Sequence, residues 1–215
     1  MQETGALIVG TTAFHFFNRS LNSCAPLELL VDEDDVELFV QWLRNEDFVP
    51  FFKNEADVTF SDAFVDDPVE YAHHVMDLIK DDKQVIRLLS TTTNALEVVL
   101  VLRTTSAMNY ISAWGARALY AHSTFDKKQT LRIYNSVVDN SLASADFFAR
   151  KGFAVLNTLP VSARIDTPSD FCTSERRFLG DGKCWTLSWS EDFSDTGSAA
   201  WFLVQRSGRP LIRVD

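Results

Sequence analysis

The chain has 215 residues, is 46% hydrophobic with 17 Phe and 5 Trp, and carries a formal net charge of −10. That apolar content excludes disorder of the whole chain and is enough to build a core. The acidic balance argues against non-specific nucleic-acid binding, which needs a basic surface.

No apolar run reaches the length of a membrane span, and no basic segment followed by an apolar one opens the sequence as a leader would. Cys24, Cys172 and Cys184 are odd in number and scattered, so they make neither a disulfide framework nor a metal knuckle. The expected setting is intracellular, cytoplasmic and reducing. The charge is uneven. Residues 1–82 hold 18 acidic and 4 basic side chains, and residues 83–215 hold 12 and 16. The first part therefore stands at −14 and the second at +4, which reads as an acidic, solvated N-terminal surface.

In chain order, residues 6–9 are a short apolar run ending at Gly10. Thr11 or Thr12 is expected to cap a helix over 13–17 through its hydroxyl. Residues 18–26 read as loop, and 27–31 as a buried strand broken by one charge, Glu28. Asp32, Glu33, Asp34 and Asp35 precede a segment, 36–45, in which Val36, Phe39, Val40 and Leu43 recur at helical spacing. Four consecutive acids suit a helix N-terminus better than a metal site.

Residues 48–52 and 58–60 read as strands, and 69–79 as a helix containing His73 and His74. Neighbours on a helix point about 100° apart, so the two histidines are not expected to share a metal. Residues 83–89 read as a strand, 94–102 as a helix capped by Thr93 or Asn94, and 104–111 as a second helix. Residues 116–120 suggest a strand, 125–138 a helix capped by Thr124, and 143–151 a helix stopped at Gly152. A strand over 153–156 follows. After a loop over 158–182, the runs 184–190, 199–205 and 210–214 read as strands, the last two forming a β-hairpin. Trp185, Trp189 and Trp201 are expected to pack this region onto the main domain. The expected organisation is an α/β domain over 1–157, with a C-terminal loop and hairpin over 158–215 packed on it.

The opening unit, with Val9-Gly10-Thr11 at a turn and Pro26-Leu27-Glu28-Leu29 on the next strand, resembles the nucleotidyltransferase fold. The order of GTTAFHFFNR, LELLV, KQVIRLL, TTSAMNYIS, ALYAHSTF, FFARKGF and GDGKCW is similar to that of uncharacterised fungal proteins with degenerate nucleotidyltransferase-like sequences. The resemblance covers most of residues 5–185. It implies an α/β (α+β) fold: a mixed sheet flanked by helices, with the C-terminal β-hairpin added.

In that family a small-residue turn opens a helix against the phosphates. Two carboxylates alternating on the next strand point to one face. With a third carboxylate on a neighbouring strand they hold two divalent cations on the triphosphate. Here Pro26 stands at the first carboxylate position and Arg87 is the only charge available at the third. Glu28 can stand for the second. Carried over to this chain, the ligand-binding positions are Gly10, Thr11, Thr12, Glu28 and Arg87. No catalytic residue, no metal ligand and no tight cation site is expected. Glu28 and Arg87 are expected to face each other on adjacent strands.

The implied function is a catalytically degenerate binding module for a nucleotide, another small ligand or a protein partner. The alternative is an active transferase using Mg²⁺ and a nucleoside triphosphate, with its acidic site rearranged onto Glu28 and residues 32–35. None of the cysteines is placed beside a histidine by the sequence, so no thiol nucleophile is expected.

Overall fold

The computed structural model describes residues 1–20, 26–51, 73–81, 84–134, 142–160, 169–189, 199–206 and 209–214. Strand β1 (Leu7–Val9) runs straight into helix α1 (Gly10–Phe17). Gly10 makes that junction at φ +67°, a left-handed conformation that costs glycine little. β2 (Leu27–Asp32), a 3₁₀ turn over Glu33–Asp35, α2 (Val36–Asn45) and β3 (Val49–Phe51) follow as the spacing predicts. Next come β4 (His74–Lys80), β5 (Gln84–Thr91), α3 (Ala95–Leu100), β6 (Asn109–Ile111) and β7 (Gly115–Ala118). Then come β8 (Gln129–Leu131), α4 (Leu142–Arg150), β9 (Ala154–Leu156), β10 (Arg177–Phe178), β11 (Trp185–Ser188), β12 (Ala200–Arg206) and β13 (Arg209–Val214).

Eight strands form one mixed sheet in the order β11-β7-β6-β1-β2-β5-β4-β3. β2 and β5 pair in parallel at its centre, with Glu28 opposite Arg87. β1 pairs antiparallel with β2, and β4 antiparallel with β5. The period-2 alternation sorts β2 between two cores. Leu29 and Val31 join Phe39, Val40 and Leu43 of α2 together with Leu78, Ile86 and Leu88. Leu30 joins a larger cluster with Leu7, Val9, Leu89, Val98, Val99, Phe147 and Phe148. Phe14 is an aromatic hub of that second core, with the rings of Phe125, Phe147, Phe148 and Phe153 at 5.4 to 6.4 Å. The antiparallel hairpin β12–β13 puts Trp201, Leu203 and Ile212 into the same core. Among the described residues no helix is long and apolar enough to cross a membrane.

Three expected helices are corrected. Residues 74–79 are strand. Met76 and Leu78 turn toward α2 while Asp77 turns away, and pairing with β5 over seven residues overrides a short helical spacing. Residues 69–72 lie outside the described residues, as does the strand expected over 58–60.

Residues 104–111 form a 3₁₀ turn (Thr105–Ala107) and then β6. Their hydroxyls reach distant segments: Thr104 bonds the Ser144 hydroxyl at 2.9 Å, and Thr105 Oγ1 accepts from the Leu131 N–H at 3.0 Å. These tertiary contacts, with the pairing of β6, override the helical spacing. Residues 125–134 hold the end of a π-helical turn (His122–Asp126) and then β8, which pairs in parallel with β9. Residues 135–138 lie outside the described residues.

α4 does stop at Gly152, whose φ is +82°. The Phe153 N–H closes the turn on the Phe148 carbonyl at 3.0 Å. The tryptophans divide. Trp201 lies in the hairpin and is fully buried. Trp185, on β11, belongs to the edge of the main sheet beside β7 and is 41% exposed, and Trp189 just beyond it is 52% exposed.

Candidate functional site

The charged residues of the motif strands form a row across three neighbouring strands. Glu28 on β2 is in register with Arg87 on β5, and Arg87 is in register with Asp77 on β4. Register partners present their side chains to the same face. Adjacent strands lie about 4.8 Å apart, so the row reads carboxylate, guanidinium, carboxylate. It is nearly dry. Glu28 is 1% exposed, and the side chains of Arg87 and Asp77 are 9% and 10% exposed.

The expected facing of Glu28 and Arg87 is present in the register. What sequence reading missed is Asp77. Arg87 Nε donates to Asp77 Oδ1 at 2.9 Å and Nη2 donates to Oδ2 at 3.1 Å, a bidentate fork. The hydrogen bond donated to Asp77 raises the guanidinium pKa above its ordinary value. Burial opposes this, and the charges of Asp77 and then Glu28 reinforce it. Arg87 is thus a fixed cation on this face of the sheet. Asp77 went unseen because its segment reads as helix, and no residue spacing links it to Glu28.

The helix cap expected from Thr11 or Thr12 is corrected. The cap position of α1 is Val9, with no side-chain hydrogen bond, so Thr11 and Thr12 sit inside the first turn and cap nothing. Thr11 is fully buried, and its hydroxyl has no hydrogen-bond partner among the described residues. Gly10 lies under the Glu28 carboxyl group. A Cβ built on Gly10 would fall 2.8 Å from the Glu28 carboxyl carbon and closer still to Oε2. The positive end of the α1 macrodipole therefore faces the chain's own carboxylate.

The remaining candidates separate. Pro26 is buried just before β2. Asp32 Oδ1 accepts the Ala95 N–H at 2.9 Å, while Asn94 Oδ1 accepts the Leu96 N–H at 2.9 Å, so both side chains cap α3. Asp32 lies four residues beyond Glu28, roughly 13 Å along the strand. Cys172 and Cys184 are buried free thiols, and Cys24 lies outside the described residues. Cavities of about 250, 660 and 500 Å³ have walls of described residues, and none of the three takes in Gly10, Thr11, Thr12, Glu28 or Arg87.

In sequence, no protein-family model and no curated protein matches the chain. In structure it is similar to a solved CCA-adding enzyme described in complex with ATP. The TM-score is 0.51 at 12% identity, and the overlap covers 76% of this chain and 37% of that one. The chain thus spans well under half the length of that enzyme. The likeness shows the fold: a nucleotidyltransferase-like domain built on a large mixed sheet.

Proposed function

We propose that this chain is a catalytically degenerate nucleotidyltransferase-like protein that works as a binding module. Arg87, seated between Glu28 and Asp77, carries the reading. A nucleotidyl-transfer site neutralises the triphosphate with metal ions held by carboxylates. In this row the counter-charge is a guanidinium already forked onto Asp77. A divalent cation would have to displace it, and Pro26 offers no side-chain ligand in compensation. The residues do not fit a two-cation clamp.

The rearranged acidic site has less support. Asp32 is engaged in capping α3, and its separation from Glu28 is too great for one ion to bridge. The ligand remains a nucleotide, another small molecule or a protein. Because the structurally similar enzyme is described with ATP, ATP is the first probe.

Calorimetric titration with ATP, with and without Mg²⁺, tests the proposal. Metal-independent binding supports a nucleotide module. No binding at all moves the reading to a protein partner. Mg²⁺-dependent binding followed by nucleotidyl transfer to an acceptor overturns it.

A further inference from the structure

We propose that Glu33, His73 and His74 form a surface site for a divalent transition ion of the imidazole-preferring kind, with Zn²⁺ the representative. The inference is independent of the proposed function. Glu33 follows β2 directly, His73 precedes β4, and His74 is its first residue. β2 and β4 flank β5, with Asp32 opposite Thr91 and His74 opposite Ser90, so the three side chains meet at one end of three adjacent strands.

The two histidine backbones are fixed on a single residue. The His73 N–H donates to the Ser90 carbonyl at 2.7 Å, and the His74 N–H donates to the Ser90 hydroxyl at 3.1 Å. One ligand atom from each of the three side chains lies within 4.8 Å of the other two. His73 Nδ1 is 2.8 Å from Glu33 Oε1, and His74 Nε2 is 3.9 Å from the same oxygen. Four-coordinate Zn²⁺ with bonds of about 2.0–2.1 Å holds its ligand atoms roughly 3.4 Å apart, between these separations.

The ordinary alternative is an exposed histidine–carboxylate pair, and that would need one imidazole. Here a second imidazole, 70% exposed at the side chain, also turns its nitrogen toward the carboxylate. Residues 74–79, expected to continue a helix that keeps the two rings apart, are strand instead, with His74 its first residue. Two imidazoles and one carboxylate form a ligand set that leaves a fourth position open to water or to a partner's side chain. The site also ties β2 to β4 across β5, so an ion bound there stabilises the folded state by mass action.

The test is calorimetric titration of the untagged full chain with Zn²⁺, together with cobalt substitution. One equivalent is expected to bind with micromolar affinity. Glu33→Gln should weaken binding at least tenfold, and His74→Ala should abolish it. His122→Ala is the control: His122 forms a two-residue pair with Asp126 and should leave binding unchanged. Bound Co²⁺ should show four-coordinate visible bands without a thiolate charge-transfer band. The three altered side chains are exposed, so the variants should melt like the parent protein in chelator. No saturable binding, binding unaffected by Glu33→Gln and His74→Ala, or a thiolate band would each overturn the proposal.

Discussion

The carboxyl group of Glu28 lies against the α-carbon of Gly10, leaving no room for a side chain there. Gly10→Ala would combine a left-handed backbone with a clash against a buried acid. The backbone term alone is about 1–3 kcal/mol, so a large fall in melting temperature is expected. Glu28→Ala in the same chain should recover the steric part. A double-mutant cycle measures that recovery, and strict additivity would show that the two residues do not touch.

Asp77→Ala should be far more damaging than a change at Glu28. It leaves Arg87 buried without its fork, a loss of about 3–5 kcal/mol. Arg87→Ala should cost a similar amount, because it removes the cation that both buried carboxylates face. Glu28→Gln keeps its volume and removes a charge whose attraction for Arg87 ranks below the Asp77 contacts, so it should cost under about 2 kcal/mol. Denaturant unfolding of the three variants gives the order, and a Glu28→Gln loss matching that of Asp77→Ala would refute this division of roles.

His15 gives the protein a window of pH sensitivity. Burial, and then the charge of Lys151, lower its pKa below the ordinary histidine value. The unfolded chain therefore binds the proton more readily than the folded one. Stability from this group is complete above about pH 6.5 and declines as the pH falls below it. Asp181 acts in a lower window. Burial pushes its pKa up, but the Arg177 hydrogen bond and charge outweigh that and hold it down, so its contribution is lost only toward acid. His15→Gln should flatten the melting-temperature profile between about pH 7.5 and 5.5 and leave the more acidic limb as it was.

Cys184 should be chemically silent in the folded protein. Burial raises its thiol pKa to about 12, and Arg177 only partly opposes this. Thiolate is the reactive form. Alkylation of Cys184, followed by peptide mass spectrometry, should run at least about 100-fold slower in native than in denatured protein. Equal rates would mean that the thiol is open to solvent.

Much of the central sheet was legible. β2 and β5 are apolar runs with one internal charge each, and the resemblance set Glu28 opposite Arg87, as the register has them. α2 and α4 carried clear stripes or stops. The errors share a cause. Residues 74–79, 104–111 and 125–134 are short segments whose spacing suits either period, and tertiary pairing decided each one. Asp77 was lost with the first of these, and with it the residue that holds Arg87. The convergence of His73 and His74 on Glu33 was lost the same way, since a strand start brings together what a helix would have kept apart.

The charged row is expected to assemble in a fixed order. Asp77 and Arg87 are ten residues apart within one antiparallel hairpin. Glu28 reaches Arg87 only through a parallel pairing that spans fifty-nine positions of the chain. Local pairs close before distant ones because loop closure costs entropy. Asp77→Asn is expected to slow folding, and Glu28→Gln chiefly to speed unfolding, which chevron analysis separates. Arg87 is then already matched when β2 docks, so the central strand adds its acid to a cation that has been in place since the hairpin formed.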